Sequence, residues 1–214
     1  MSDMACSGKL IIVSGPSGAG KSALSAAVLQ TVPNLGFSIS YTTRPPRGNE
    51  KDGAEYFFVS RARFEELIKE NELLEWAEVY GNLYGTSKQR IDESLNRGED
   101  ILLDIDVQGA RSIRGKRPDA VSVFILPPSY EVLRMRLESR KLDKDYEIEN
   151  RLRIAQQEIQ HFTNYDFLII NEGFEESVGE LRAIIMGLRC QTAAQAEKAK
   201  SIVATFGGLD ATNP

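Results

Sequence analysis

The feature that most constrains the fold of this chain is a glycine-rich stretch close to its N-terminus. Residues 10–13 are the apolar run Leu-Ile-Ile-Val, which is typical of a strand buried on both faces. Residues 15–22 are Gly-Pro-Ser-Gly-Ala-Gly-Lys-Ser and match the phosphate-loop pattern G-x-x-x-x-G-K-[ST] at every position. Residues 23–30 contain good helix formers, so the loop is expected to end at a helix N-terminus, where anions bind favourably. The stretch predicts a site for a nucleoside triphosphate.

Each part of this loop has a predicted task. The glycines allow the backbone to turn tightly and to point successive N–H groups at phosphate oxygens. Lys21 is expected to reach the outer phosphates, and the Ser22 hydroxyl is expected to bind Mg²⁺. The predicted nucleotide-binding residues of the loop are Gly15, Pro16, Ser17, Gly18, Ala19, Gly20, Lys21 and Ser22. An ordinary glycine-rich turn is the competing interpretation, and the strand before and the helix after the loop disfavour it.

Charge and cysteine content restrict the partners and the compartment. The formal net charge is −5 at pH 7, which argues against a surface for nucleic acid or for an anionic membrane. An anionic substrate must then be bound by a local group of arginines. Cys6 and Cys190 are the only cysteines in the sequence, without the spacing of a disulfide framework or metal site, so a cytoplasmic protein is expected. No apolar run is long enough for a signal peptide or a membrane span. The oligomeric state is left open, a homo-oligomer included.

Three later apolar runs extend the pattern set by the first strand. Residues 101–106, 121–126 and 167–170 are expected to be buried parallel strands, and helical patterns separate them. Strands that alternate with helices form parallel sheets through crossover connections. The sequence therefore predicts an α/β fold, namely a P-loop NTPase core in which a parallel sheet is flanked by helices.

Two segments interrupt this core. The first is predicted to be a small mixed α+β insertion, with a loop or sheet edge at 38–53, a strand at 56–59, a helix at 61–70, a strand or hairpin at 73–84 and a helix at 87–97. The second follows a helix that Ser129 can cap. Its residues 141–149 are charged and nearly free of apolar side chains, so they are expected to be mobile and solvated. The expected division is a core (9–37, 96–135 and 154–190), an insertion (38–95), a helical lid (136–153) and a C-terminal extension (191–214).

A second group of arginines lies in the first insertion. Residues 40–47 are Ser-Tyr-Thr-Thr-Arg-Pro-Pro-Arg, so Arg44 and Arg47 flank a rigid proline pair. Such arginines suit forked recognition of a second phosphate, although a solvated basic loop explains the segment equally well when it is taken alone. Two phosphate sites and an arginine-bearing lid favour phosphoryl transfer between nucleotides, in which water must be excluded and charge neutralised.

The predicted lid supplies further arginines. Arg140 continues the apolar stripe of the preceding helix, and Arg136 lies next to that stripe. Arg151 and Arg153 are two residues apart in the next helix and therefore lie on roughly opposite faces. Only one of these two can point at a shared ligand.

Taken together, these motifs resemble those of the guanylate kinases. The residues that carry the resemblance are 15–22 and 40–47 as given above, Glu-Trp-Ala at 75–77, Tyr-Gly-Thr at 84–86 and Asp-Ile-Asp-Val-Gln-Gly at 104–109, with Arg136, Arg140, Arg151 and Asn171. The resemblance extends from about residue 9 to residue 188. One departure follows Arg140, where Lys-Leu-Asp replaces the usual Gly, hydroxyl residue and acid.

The resemblance implies an enzyme that transfers the γ-phosphoryl group of ATP to GMP with Mg²⁺, built from a core, a GMP-binding insertion and a lid. It implies that the GMP phosphate is bound by Ser40, Arg44, Arg47, Tyr56 and Tyr84. It implies that guanine is bound by Glu75, Thr86 and Asp106. By the same resemblance, Lys21, Arg136, Arg140 and Arg151 act in the transfer, and Asn171 contacts the adenine of ATP.

The implied guanine site makes chemical sense. The Watson–Crick edge of guanine carries a ring N–H and an exocyclic amine, both donors, so acceptor-only carboxylates suit it. Taken alone, Glu75 would be a solvated strand carboxylate, and for Asp106 a structural or magnesium-binding role competes. Two other functions stay open at this stage. One is an inactive guanylate-kinase-like module that binds a phosphorylated protein, and the other is a kinase for another nucleoside monophosphate.

Overall fold

The apolar run before the phosphate loop forms the central strand of a five-stranded parallel sheet. The computed structural model describes residues 8–79, 81–139 and 145–206. The strands of this part of the chain are β1 Leu10–Ser14, β2 Leu35–Phe37, β3 Tyr41–Thr42, β4 Phe57–Phe58, β5 Leu73–Val79, β6 Asn82–Ser87, β7 Asp100–Asp104, β8 Val121–Leu126 and β9 Phe167–Ile170. The helices are α1 Lys21–Thr31, α2 Arg61–Lys69, α3 Lys88–Asn96, α4 Val107–Lys116, α5 Tyr130–Glu138, α6 Asp145–Glu158, α7 Phe174–Arg189 and α8 Thr192–Thr205.

The large sheet has the strand order β2-β7-β1-β8-β9. Its neighbouring strands all run parallel. The four predicted strands are therefore confirmed, together with the α/β fold class. Strand β2, at one edge of the sheet, was not predicted because its three residues are too few to form a recognisable apolar pattern.

Helices cover both faces of the large sheet. Ile11 and Val13 of β1 pack in a cluster with side chains of α1 and α7. Leu10 and Ile12 point to the other face and pack with side chains of α3 and α4. Because successive side chains of a strand point to opposite faces, two covered faces require an uninterrupted apolar run. The burial of all five residues of β1 follows from this arrangement.

The insertion forms a separate four-stranded sheet of order β4-β3-β6-β5. Strands β5 and β6 form a hairpin, one of the two structures expected for residues 73–84, and α2 packs on this sheet through Phe64 and Leu67. The predicted strand at 56–59 is shorter than expected, since β4 contains only two residues. The register between β5 and β6 shifts between Leu73 and Glu75.

The lid segment differs from its prediction. Residues 145–149 were expected to be mobile and solvated, but they form the start of α6. Ile148 is buried in a cluster with side chains of α5 and of the rest of α6. One apolar residue per turn is enough to fix this end of the helix, which a count of charged residues does not detect. Residues 140–144 lie outside the described part of the chain.

Strand β9 also differs from its prediction. It was expected to be buried, yet only Ile169 is, while Phe167, Leu168 and Ile170 are 38%, 42% and 48% exposed. The reason is topological, because β9 lies at the edge of the sheet and pairs with β8 alone. An apolar run does not distinguish a central strand from an edge strand.

The C-terminal extension contains α8. Residues 207–214 lie outside the described part of the chain. Among the helices within the described ranges, none combines the length and the apolar character needed to cross a membrane.

Candidate active site

The phosphate loop connects the carboxyl end of β1 to α1. Gly20 has a φ of 103° and caps α1 in the left-handed conformation that favours glycine. A Cβ at this position would lie 2.3 Å from Nδ2 of Asn171, so no other residue fits without displacing that amide. The Lys21 ammonium donates hydrogen bonds to the carbonyls of Gly15 (2.8 Å) and Pro16 (3.1 Å). The lysine thus lies across the mouth of the loop, where triphosphate oxygens would bind.

Ser22 has a partner that sequence reasoning left without a role. Its Oγ donates a hydrogen bond of 2.6 Å to Oδ2 of Asp104. Asp104 ends β7, the strand next to β1, and carboxyl ends of neighbouring parallel strands meet at one edge of a sheet. The described residues contain no group of three or more His, Cys, Asp or Glu side chains that could hold a metal by themselves. One carboxylate and one hydroxyl suit Mg²⁺, which keeps several waters and takes its remaining ligands from substrate phosphates.

Two predicted site residues support the loop from behind. The Asn171 side chain, 5% exposed, donates from Nδ2 to the carbonyl of Ala19 at 2.7 Å. Arg136 donates to the same carbonyl at 3.4 Å and to the carbonyl of Asn171 at 2.9 Å. These contacts fix the backbone of the loop. The adenine contact of Asn171 and the transfer role of Arg136 stay predictions.

Helix α6 places one of its two arginines at the loop. Arg151 donates a hydrogen bond to Oγ of Ser17. Arg153 is exposed on another face and donates to Oδ1 of Asn150 at 3.0 Å. The two residues therefore point in different directions, as their spacing predicts. Arg140, the third predicted lid arginine, lies outside the described residues.

A cleft of about 540 Å³ lies between the loop, the insertion and α6. It brings together predicted residues of both nucleotide sites, which are Gly15, Ser17, Lys21, Ser22, Ser40, Arg47, Tyr56, Glu75, Tyr84, Asp106 and Arg151. These residues come from segments that lie up to 136 positions apart in the sequence, from Gly15 to Arg151.

Arg44 is held by an acid that was not predicted. Its guanidinium donates to both carboxylate oxygens of Glu50 at 2.9 Å and lies 5.4 Å from the centre of the Tyr56 ring. The Arg44 side chain is 7% exposed, whereas Arg47 is exposed and lines the cleft. Burial, and in second place the charge of Asp104, raises the pKa of Tyr56 to about 12. The Tyr56 hydroxyl therefore stays protonated and can donate a hydrogen bond to an anion.

Glu75 is the most unusual carboxyl of the site. It is 4% exposed and accepts a hydrogen bond of 2.6 Å from Oγ1 of Thr86. Burial raises its pKa to about 7, and the charge of Asp106 adds to the rise, whereas Thr86 and Lys116 oppose it. The prediction for Glu75 taken alone, a solvated strand carboxylate, is therefore wrong. A buried acceptor at this position is ready to meet a donor of the ligand.

Asp106 has a structural contact of its own. Its Oδ1 accepts hydrogen bonds from the backbone N–H groups of Gln108 (2.6 Å) and Gly109 (2.9 Å) and so caps α4. Because Asp106 also lines the cleft, capping and ligand binding are compatible. Its second carboxylate oxygen is the candidate contact for guanine.

Glu158 is a further carboxyl in the cleft that sequence reasoning missed. Burial raises its pKa to about 7; the nearby Lys21 ammonium opposes this rise, and the charge of Asp106 adds to it. Glu158 lies at the end of α6, two turns after Arg151, so both face the cleft. An acid in an otherwise charged helix gives no sequence signal that could have singled it out.

Comparison with known proteins identifies the family of this chain. The sequence model described as guanylate kinase matches residues 7–187. The chain is 50% identical over 186 residues to the guanylate kinase of Koribacter versatilis, which covers 86% of this chain and 80% of that relative. It is 46% identical over 197 residues to the guanylate kinase of Nitrosomonas europaea, which covers 92% and 98%. The crystal structure of guanylate kinase from Anaplasma phagocytophilum matches with a TM-score of 0.78 and 33% identity over 96% of this chain and 98% of that chain. The chain that folds around this cleft therefore belongs to the guanylate kinase family.

Proposed function

We propose that this chain transfers the γ-phosphoryl group of ATP to GMP and releases ADP and GDP. The observation that carries the proposal is the cleft itself, which joins a phosphate loop at one end to the buried Glu75 carboxyl at the other. A triphosphate site alone would equally suit an ATPase. A second, base-selective site in the same cleft supports transfer from one nucleotide to another.

The phosphate loop is the ATP end of the cleft. Backbone N–H groups of the loop and the N-terminus of α1 bind the phosphates, and Lys21 neutralises their outer charge. Ser22 and Asp104 are the residues that would hold Mg²⁺. When bound, the ion neutralises charge that develops on the transferred group.

The insertion is the GMP end of the cleft. Ser40, Arg47, Tyr56 and Tyr84 line it and offer donors to the GMP phosphate. Arg44 stiffens this wall through its ion pair with Glu50. Glu75 and Asp106 present carboxylate oxygens to the two donors of the guanine edge, and Thr86 orients Glu75.

Transfer then requires positioning more than proton chemistry. A phosphate oxygen of GMP forms a bond to the γ-phosphorus while the bond from that phosphorus to the β–γ bridging oxygen breaks, and the electron pair stays on ADP. Lys21 and Arg151, which flank Ser17 and the loop, stabilise the charge that spreads over the moving group. The lid residues exclude water, which would otherwise accept the phosphoryl group. The net charge and the cysteine content support a cytoplasmic enzyme without a nucleic-acid partner.

A direct test is a coupled assay of ADP formation with ATP and Mg²⁺ and with each nucleoside monophosphate in turn, the second product being identified by chromatography. The expected result is ADP and GDP in equal amounts with GMP, much slower ADP formation with the other nucleoside monophosphates, and none without an acceptor. ADP formed at the same rate without an acceptor would contradict transfer. A chain that gives no turnover but binds a phosphorylated peptide would support the inactive module instead.

A further inference from the structure

Helix α4 of the core lies directly against the residue that selects the base. Gly109 is a buried residue in the first turn of α4, and Glu75 belongs to β5 of the insertion. A Cβ on Gly109 would lie 2.9 Å from Oε2 of Glu75 and 3.3 Å from its Cδ. The first of these distances is too short for a normal contact. The Glu75 carboxyl therefore occupies space that is available because residue 109 has no side chain.

The two oxygens of the Glu75 carboxyl have different surroundings. Oε1 accepts the hydrogen bond from Thr86, and Oε2 faces Gly109. The backbone N–H of Gly109 is engaged by Asp106, so the helix holds Glu75 through its shape rather than through that donor. A methyl group at residue 109 would push the carboxyl away from α4 and disturb the Thr86 contact.

The other end of the same helix fixes the backbone beside Glu75. Lys116, the last residue of α4, donates from Nζ to the carbonyl of Leu74 at 2.6 Å. Helix α4 thus meets β5 at two points, where Gly109 faces the Glu75 carboxyl and where Lys116 binds the Leu74 carbonyl. Both contacts join the core to the insertion.

We propose that Gly109 is a specificity-determining positioning residue, which places the Glu75 carboxyl against α4 in the orientation that selects guanine. Lys116 assists by holding the Leu74 carbonyl. This inference rests on the proposed function and deepens it. Gly109 itself contacts no reacting atom, and its effect on the reaction passes through Glu75.

The substitution Gly109→Ala separates this role from a role in stability. Alanine is a better helix former than glycine, and the atom displaced is the tip of a flexible side chain. The variant is therefore expected to melt at or near the parental temperature while its base selection fails. Gly115→Ala is the matched control, because Gly115 lies in the same helix and a Cβ there would meet no described atom within 4 Å apart from the helix's own nearby backbone.

The experiment measures the specificity constants for GMP and IMP, the KM for ATP and the melting temperature of each protein. IMP lacks only the exocyclic amine, so the GMP-to-IMP ratio reports one donor of the guanine edge. We expect Gly109→Ala to lower this ratio by roughly tenfold, the effect of a misplaced hydrogen bond to a charged group, with the KM for ATP unchanged. Gly115→Ala should keep the parental ratio.

A double-mutant cycle tests whether the effect passes through Glu75. In the Glu75→Ala background the ratio should no longer respond to Gly109→Ala, because the displaced group is gone. An equal response in both backgrounds would overturn the inference. If Gly109→Ala proves unstable, Lys116→Met provides a second test. It is expected to lower the GMP-to-IMP ratio of specificity constants by a few-fold.

The outcomes distinguish this inference from the proposed function. A parental protein that uses GMP and IMP equally well would overturn the proposed guanine site itself. A parental preference for GMP that survives unchanged in both Gly109→Ala and Lys116→Met would overturn only the positioning role of α4.

Discussion

In the proposed function, the phosphate loop and the pocket around Glu75 recognise nucleotides by opposite means. The loop consists of eight consecutive residues, from Gly15 to Ser22, and acts mainly through its backbone. The proposed guanine pocket takes single side chains from β5, β6 and the start of α4, namely Glu75, Thr86 and Asp106. Contiguous backbone suits a phosphate, which is the same in every nucleotide. Discrimination between bases requires polar side chains that fit one hydrogen-bonding edge.

The two regions also differ in what they demand of the fold. The loop satisfies its own polar groups, with Lys21 bound to the carbonyls of Gly15 and Pro16. The pocket buries a carboxyl whose pKa rises to about 7 through burial, so its ionised form is unfavourable until a ligand donor meets it. In the proposed function, the triphosphate site therefore contributes charge stabilisation at little expense in stability, whereas the guanine site loses stability in exchange for selectivity.

The largest expected effect comes from breaking the loop. Lys21→Ala should lower turnover by roughly three orders of magnitude, because one preorganised cation at the transferred group is lost. The affinity for GMP should stay within about twofold, since the guanine pocket is built from other elements. Steady-state kinetics and a GMP titration check both parts.

The same variant loses two hydrogen bonds within the loop. A loss of about 1 kcal/mol in the free energy of unfolding is therefore expected, and a denaturant titration measures it. Near-parental turnover in a folded Lys21→Ala protein would contradict the assignment of this loop as the triphosphate site.

The next effect in size concerns the two arginines of α6. Arg151→Ala should lower turnover by roughly two orders of magnitude, because this side chain meets Ser17 of the loop. Arg153→Ala is the matched control and should leave turnover near parental, since Arg153 is exposed and contacts Asn150. Comparison of the two kcat values shows which arginine of α6 contributes to the transfer. If Arg153→Ala proves the more damaging change, the orientation of α6 is wrong.

The last effect is a pH-dependent change in the free energy of unfolding, which reports the environment of the Glu75 carboxyl. The pKa of Glu75 in the folded chain, about 7, exceeds its ordinary value of 4.5. Between these values the folded state keeps a proton that the unfolded state has lost. The contribution of Glu75 to the free energy of unfolding is therefore fully present below about pH 4.5 and falls as the pH rises towards 7, by at most about 1.4 kcal/mol per pH unit.

Glu75→Gln removes this dependence. At pH 8 the variant should be more stable than the parent by about 1–3 kcal/mol, and the difference should shrink as the pH falls to 5. Glu158 has a raised pKa in both proteins and so cancels in the comparison. Denaturant titrations at pH 5, 6.5 and 8 measure the trend, and a constant difference across these pH values would show that Glu75 is already ionised in the free protein.

The sequence predicts the phosphate loop and the elements around it well. The strand before the loop, the helix after it and three further strands are confirmed, because each depends on a local pattern of apolar residues. The sequence does not predict strand β2 because it is short. It does not predict the exposure of β9 because a strand's position at a sheet edge is set by topology.

The proposed guanine pocket depends on contacts between residues that are distant in sequence, and local sequence patterns do not reveal such contacts. A lone Glu75 gives no sign that it is buried, and its proximity to Gly109 appears only once α4 lies against β5. Asp104 acquires its partner Ser22 because β7 pairs with β1, 82 positions away in sequence. Family resemblance supplied roles for several of these residues, but the physical reason for each role comes from the fold.

The most direct test of the account is the specificity constant of the parent for GMP, IMP and AMP, measured beside Glu75→Gln at saturating ATP. A buried carboxylate that lacks its donors rejects an analogue strongly, so GMP should exceed AMP by roughly four orders of magnitude, with IMP between them. Glu75→Gln should lose about a hundredfold of the GMP activity, while its KM for ATP stays near parental. Comparable values for GMP and AMP in the parent would contradict the account and leave a nucleotide kinase whose acceptor is not set by Glu75.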